Sequence, residues 1–485
     1  MTTTIPPAWN QVQAALQRIW GYPSFRPPQG EIVQSLLAHR DSVTILPTGG
    51  GKSICFQLPA ILQPGLTLVV SPLVALMENQ VQELRDRAAG FRQSVALLHN
   101  ELSTSDRKRI LGLLEQRKLQ LLYLSPETLF SPAVWQRLCQ PNFRLNGLIL
   151  DEAHCLVQWG DTFRPAYYRL GAVRSSLVPY QPANHRMAIA AFTATADPQA
   201  QQTIERVLQL EDPQIFRLNP YRSNLQLTVQ VAWSPRQRRQ RLLQLIQAHP
   251  AQAGLVYVRT RRDSEALVTW LQAQGWRTAA YHAGLSPDSR RQIEQAWLSD
   301  RLQFVVSTNA FGMGVNKPNV RWVAHFHAPL LLSEYVQEVG RAGRDGKPAT
   351  ALTLISETTG WLDPEDKHRR QFFLDHQQQQ VQSAQQLMRQ LPLEGEVTAV
   401  IKQFPQAAIA FALLHHAGCL DWIDPFHYRI TERKSGRLGQ SNATAATQML
   451  DYLKTNRCRW QVLLAGFGFG TEAAQFRCGH CDNCR

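Results

Sequence analysis

Ser42-Val43-Thr44-Ile45-Leu46-Pro47-Thr48-Gly49-Gly50-Gly51-Lys52-Ser53 joins an apolar run to a glycine-rich turn and a helical pattern. Residues 42–46 suit a short strand buried on both faces, and a helical pattern starts at Lys52. A glycine-rich turn between strand and helix leaves backbone N–H groups bare, and the helix dipole favours an anion there. Thr48, Gly49, Gly50 and Gly51 can therefore cradle phosphates, Lys52 can reach the β and γ phosphates of ATP, and the Ser53 hydroxyl can bind Mg²⁺. Leu46 stands where the generic phosphate-loop pattern has its first glycine. The plainer alternative is a turn without nucleotide, but Lys-Ser at the helix start argues against it.

Beyond this stretch, apolar runs at 66–70, 119–124, 145–150 and 187–192 alternate with helical patterns. A second series follows at 254–258, 278–281, 302–306, 322–326 and 349–355. Strands apolar on both faces and separated by helices predict parallel sheets covered on each side. The fold class expected is thus α/β, with two tandem parallel-sheet domains and a boundary near 211–234. A polar, Gln-rich helix is expected over 369–390, short helices over 397–428, and a basic Gly-containing loop over 434–442.

The run 145–150 ends in Asp151-Glu152-Ala153-His154. A carboxylate at the tip of a neighbouring parallel strand can hold a metal, and its partner can orient and deprotonate water, so Asp151 and Glu152 are candidate catalytic groups. In the second series, Gly340-Arg341-Ala342-Gly343-Arg344 sets two arginines three apart, predicted to share one helix face and to meet the charge developing on the γ phosphate. A surface basic turn is the alternative.

The chain has 485 residues, with 51 Lys and Arg against 37 Asp and Glu, for a formal net charge of +14. That surplus favours a polyanionic partner, nucleic acid before membrane. Met1 to Gln11 lacks a secretory pattern and no apolar run is long enough to cross a bilayer, so a soluble cytoplasmic protein, nucleoid-associated if bacterial, is expected. Of eight cysteines, Cys458, Cys478, Cys481 and Cys484 cluster near the end, with nineteen residues between the first two. Four thiolates at this spacing suit a closed tetrahedral Zn²⁺ site; His480 is adjacent to Cys481, which makes simultaneous ligation awkward.

These motifs together resemble RecQ helicases of helicase superfamily 2. Further matching stretches are Gly21-Tyr22-Pro23-Ser24-Phe25-Arg26-Pro27-Pro28-Gln29, Val70-Ser71-Pro72-Leu73, Gln158-Trp159-Gly160, Phe163-Arg164-Pro165, Thr193-Ala194-Thr195-Ala196-Asp197, Tyr281-His282-Ala283-Gly284-Leu285 and Ala310-Phe311-Gly312-Met313-Gly314. The resemblance implies two RecA-like domains, ATP-driven 3′-to-5′ unwinding of DNA in repair or recombination, and binding of single-stranded and forked DNA by a monomer. It implies that Gln29 reads the adenine edge, with Tyr22 and Arg26 on the base. It also implies that Arg341 and Arg344 are arginine fingers, that residues 193–195 link hydrolysis to strand movement, and that Trp159, Phe163 and Arg164 contact single-stranded DNA. Asp161-Thr162 departs from the family's usual His-Asp.

The boundaries expected are 1–212 for the ATP-binding domain, 213–358 for the second RecA-like domain, 359–450 for a helical insertion and 451–485 for the zinc module. Relatives commonly carry a winged helix and a helicase-and-RNase-D-like domain after the zinc module. The sequence ends at Arg485, so a short form is expected. Residues 397–422 resemble a helix-turn-helix, with 407–414 as an amphipathic helix, 424–430 as an edge strand and 429–437 as a basic wing. This suggests duplex binding, a helical spacer being the alternative. An RNA helicase with the Asp-Glu-Ala-His tetrad, and a single-strand translocase or zinc DNA-binding protein with weak unwinding, are the rival functions.

Overall fold

The computed structural model describes residues 7–72, 74–87, 89–157, 164–311, 315–357, 361–431 and 440–485. The chain divides into two compact units, Met1–Leu218 with Gln379–Leu438, and Asn219–Gln378 with Gly439–Arg485.

In the first unit, strands β1 (Ser42–Ile45), β2 (Leu66–Val70), β3 (Val95–Leu98), β4 (Leu121–Leu124), β5 (Leu145–Leu150), β6 (Ala188–Thr193) and β7 (Gln214–Arg217) form one sheet. Its order is β3-β4-β2-β5-β6-β1-β7, and every pairing is parallel. Strands β1 to β6 are buried at every position. Period-2 alternation explains how: Ile189 and Ala191 enter one core and Ala190 and Phe192 the other, each core roofed by helices. Each buried Leu, Ile or Phe contributes about 1.5–3 kcal/mol. The order also sets β5, β6 and β1 side by side, so that three motifs emerge from adjacent strand ends.

In the second unit, β8 (Leu225–Ala232), β9 (Gly254–Tyr257), β10 (Thr278–Tyr281), β11 (Phe304–Ser307), β12 (Trp322–His325) and β13 (Ala349–Ser356) form a second parallel sheet, in the order β10-β11-β9-β12-β13-β8. Strand β8 falls inside the expected boundary at 211–234. Its sequence alternates and its burial is partial, as befits an edge.

The segment after β13, expected as a helical and possibly winged-helix-like insertion, combines helices with a small sheet. A helix spans Glu365–Gln390, followed by β14 (Glu394–Glu396), helices Val397–Gln403 and Ala407–His416, and strands β15 (Leu420–Asp424) and β16 (His427–Ile430). The sheet order is β14-β16-β15, so β16 is the central strand and not an edge. Helix, strand, two helices and a hairpin in this order make a winged-helix topology. The Ala407–His416 helix is not amphipathic: none of its residues is exposed, because it is apolar on every face. Residues 379–430 share one core with the first sheet, and residues 440–485 pack with the second. The basic wing lies mostly outside the described residues.

Candidate active site

In the first unit the phosphate loop is shaped by its glycines. Gly49 has φ 84° and Gly51 φ 72°, values that side chains resist. A Cβ on Gly51 would also collide with the Gln29 amide. The Pro47 carbonyl accepts from Gly50 N at 2.9 Å, closing the turn. Leu46, in place of the generic glycine, is wholly buried in the core, and its carbonyl accepts from Lys52 Nζ at 3.2 Å. The helix Lys52–Leu62 starts directly behind, with Gly51 as its N-cap.

Gln29 is carried to this loop by the helix Gln29–Leu37. Its Nε2 donates to Gly50 O at 3.0 Å and its Oε1 accepts from Arg26 N at 3.0 Å. Tyr22 is 46% exposed and Arg26 is also exposed. Both therefore present their faces outward beside an amide held at the loop.

Two strands away, Asp151 is buried. Its Oδ2 accepts from Gln80 Nε2 at 3.1 Å and its Oδ1 from Glu152 N at 3.0 Å. Burial first, and the neighbouring Glu152 charge second, raise its pKa to about 6 against the opposing Lys52 cation. Two adjacent carboxylates suit a divalent cation, whose charge would offset their mutual repulsion. Glu152 has φ 55°, an uncommon conformation for a side chain-bearing residue.

Glu152 Oε2 lies 3.1 Å from His154 Nδ1. Thr193 Oγ1, at the end of β6, lies 3.5 Å from the same nitrogen. That hydroxyl also accepts from Thr195 N at 3.2 Å and donates to Thr195 O at 3.1 Å. Burial works against a proton on His154, but Cys155 and the Glu152 carboxylate hold it, raising the imidazole to about 10. A polar relay thus joins Glu152 to the 193–195 segment. Gln80 carried no motif signal, whereas the relay could be read only once β5 and β6 were known to be neighbours.

Arg164 donates to Pro72 O at 3.1 Å. Trp159 and Phe163 lie outside the described residues. In the second unit, Arg341 and Arg344 line one recess with Lys317, Trp297 and Phe311, and Arg344 Nη1 donates to Asn316 Oδ1 at 3.1 Å. They do not share a helix face: the helix Leu332–Val339 has Gly340 as its C-cap, and Gly343 and Gly346 turn the chain with positive φ.

The Sγ atoms of Cys458, Cys478, Cys481 and Cys484 all lie within 4.8 Å of one another. Backbone N–H groups of Cys478, Cys481 and His480 donate to sulfur, which favours thiolates. His480 Nδ1 instead meets Cys478 O at 2.7 Å. The set is four convergent thiols, the donor chemistry of structural zinc. Asp482 between them bonds Arg459 at 2.9 and 3.0 Å and accepts from Val229 N of β8 at 2.8 Å, while Trp460 Nε1 donates to Leu225 O at 3.2 Å. This covers the edge strand, which would otherwise offer unpaired backbone groups.

The chain matches the models for the DEAD/DEAH box helicase over residues 26–204, the helicase conserved C-terminal domain over 237–346 and RecQ zinc-binding over 426–485. It is 51% identical, over 98% of each chain, to a Synechocystis protein named ATP-dependent DNA helicase RecQ. It is 37% identical to the probable ATP-dependent DNA helicase RecS of Bacillus subtilis, over 71% of this chain and 67% of that one. Among solved structures, the DUF1998 helicase MrfA bound to DNA superposes with TM-score 0.61 at 19% identity, covering 77% of this chain and 54% of that one; at that identity it shows the fold alone.

Proposed function

The chain belongs to the RecQ family of ATP-dependent DNA helicases, and on that footing we propose that it translocates 3′ to 5′ on single-stranded DNA and unwinds duplex ahead of it. The observation that carries this reading is the alignment of three strand ends: residues 47–53 after β1, Thr193–Thr195 after β6, and Asp151-Glu152 after β5. Lys52 meets the β and γ phosphates, Ser53 and Asp151 hold Mg²⁺, and Glu152 orients and deprotonates the attacking water. Mg²⁺, when bound, neutralises charge on the phosphate oxygens. Gln29, Tyr22 and Arg26 select adenine. Arg341 and Arg344 stabilise charge on the transferring phosphoryl group. The relay from Glu152 through His154 to Thr193 gives the water-activating carboxylate a path to the strand-moving segment. Trp159, Phe163 and Arg164 contact the single strand by stacking and phosphate pairing.

Four cysteines hold Zn²⁺, which supplies folding energy to the module covering β8. An RNA substrate is not favoured, since the 51%-identical relative is named a DNA helicase. No helix among the described residues is long and apolar enough to cross a membrane, and a monomer acting in the cytoplasm or on the nucleoid fits the reading. Strand displacement on forked DNA with a 3′ or a 5′ tail, beside matched RNA forks, tests it. Displacement only on 3′-tailed DNA, abolished by Lys52→Ala, is expected. Displacement from 5′ tails alone, or ATP turnover surviving Lys52→Ala, defeats it.

A further inference from the structure

The winged-helix-like segment would ordinarily be read as a duplex-binding module whose second helix enters the major groove. Here that helix, Ala407–His416, has no exposed residue. It packs instead on the short helix Pro165–Arg169, on the helix Pro198–Val207 and on β15. Those two partners flank the catalytic carboxylates: the turn Ala153–Leu156 follows Asp151-Glu152 directly, and it contacts both Pro165–Arg169 and Pro198–Val207.

The contacts are specific. Tyr168 is fully buried; its ring meets the His415 and His416 imidazoles edge-on at 5.9 and 6.5 Å, and its hydroxyl donates to Leu156 O at 2.6 Å. One side chain therefore ties together the two short helices on either side of residues 158–163 and presses against the inserted helix. Next to it, Arg169 lies 4.4 Å over the Phe130 ring and donates to Pro425 O, in the hairpin between β15 and β16, at 3.2 Å. From that hairpin Phe426 packs edge-on against Phe130 at 6.1 Å and Trp135 at 5.3 Å. Arg206 closes the other side by donating to His416 O at 2.8 Å.

We propose that residues 379–430 are an internal buttress that positions Pro165–Arg169, so that single-stranded DNA raises the rate of hydrolysis, and that they do not read duplex DNA. Tyr168, Arg169 and Phe426 are its positioning residues; none belongs to the phosphate loop, the adenine-side residues or the carboxylate pair. The inference rests on the proposed reading of Trp159, Phe163 and Arg164 as strand contacts, because the buttress fixes the C-terminal anchor of that segment. A winged-helix fold can serve either use, since the fold leaves open which of its faces is free.

The test uses the full chain and measures ATP turnover without DNA and across a titration of single-stranded DNA. Arg169→Ala and Phe426→Ala are expected to keep basal turnover within about twofold and to lower DNA-stimulated turnover about five- to tenfold. Tyr168→Phe, which removes only the bond to Leu156 O, preserves folding if the larger truncations do not. It is expected to lower stimulation about threefold. Arg429→Glu on the exposed hairpin is expected to leave both stimulation and duplex affinity unchanged. Wild-type stimulation in all folded variants overturns the proposal, as does lost duplex affinity in Arg429→Glu. If single-stranded DNA fails to stimulate the unsubstituted chain, the functional reading itself falls, and this inference with it.

Discussion

The two segments that follow the second sheet, 379–430 and 454–485, solve the same problem by different chemistry. Both are too small to bury a core alone, and both borrow one. The first is welded to its RecA-like unit by apolar surface: Phe411, Leu414, Leu387 and Tyr428 join the cluster that holds Leu145 and Leu148. The second is pinned by polar and metal-type groups, namely four convergent thiols, the Arg459–Asp482 pair and the Trp460 bond to β8. An appendage held by packing weakens in proportion to the atoms removed. One held by a closed ligand set fails as a whole when a ligand goes.

Metal removal should therefore give the largest effect, and only on one side. Chelation, or Cys481→Ser, is expected to cost on the order of 10 kcal/mol of local folding energy. Hydrogen exchange should lose protection over 454–485 and along β8, Leu225–Ala232, while 379–430 stays protected. Equal loss in both segments would erase the contrast.

Phe411→Ala attacks the other side. Its ring packs at 4.7 Å on Tyr428 and 5.9 Å on Trp422, and truncation of such a buried aromatic costs about 3–5 kcal/mol. A lower thermal midpoint with no release of zinc is expected. Zinc release on this substitution would mean the two segments are not independently held.

Asp482→Ala should cost less, about 2 kcal/mol, because the carboxylate keeps some solvent although it leaves the buried Arg459 guanidinium short of a partner. Faster thiol reactivity of the four cysteines, at unchanged stability of 379–430, is the readout; thiols as slow as in the parent chain would remove Asp482 from the anchoring role.

What the sequence made legible follows the same division. The phosphate loop, the Asp151-Glu152 pair and the cysteine cluster are local patterns whose chemistry needs those residues at those spacings; the first two lie at the ends of β1 and β5, and the four cysteines converge. Strands buried on both faces were readable as apolar runs. Strands β7 and β8 were not, since an edge strand such as Leu225–Ala232 keeps one wet face and resembles a linker. Spacing alone puts the arginines on one helix face because it ignores Gly340 and Gly343. Pairing of the 379–430 segment with the first sheet was invisible for a different reason: its contacts join residues more than two hundred positions apart, such as Arg206 and His416. One local signal did exist. Ala407–His416 is apolar all round, and a helix of that kind has no face to offer DNA.

The smallest effect separates the two segments by pH. Burial, then the Arg206 cation, then the neighbouring imidazole lower His415 to about 3; burial and Arg206 lower His416 to about 4. Tyr168 and Trp422 are the other rings facing His415. Both imidazoles are neutral in the fold, whereas in the unfolded chain they take a proton as pH drops below about 6.5. The unfolded state then binds more protons, so the stability these groups contribute is complete above about 6.5 and is lost as pH falls toward their folded values. At pH 5.5 the loss is about 1.4 kcal/mol per imidazole. Replacing His415 with Leu should flatten this dependence, narrowing the stability gap between parent and variant, or reversing it, from pH 7.5 to 5.5 at constant zinc content. A gap that does not change with pH would show that the imidazole is not held neutral, and that packing alone, without proton linkage, binds this segment to its unit.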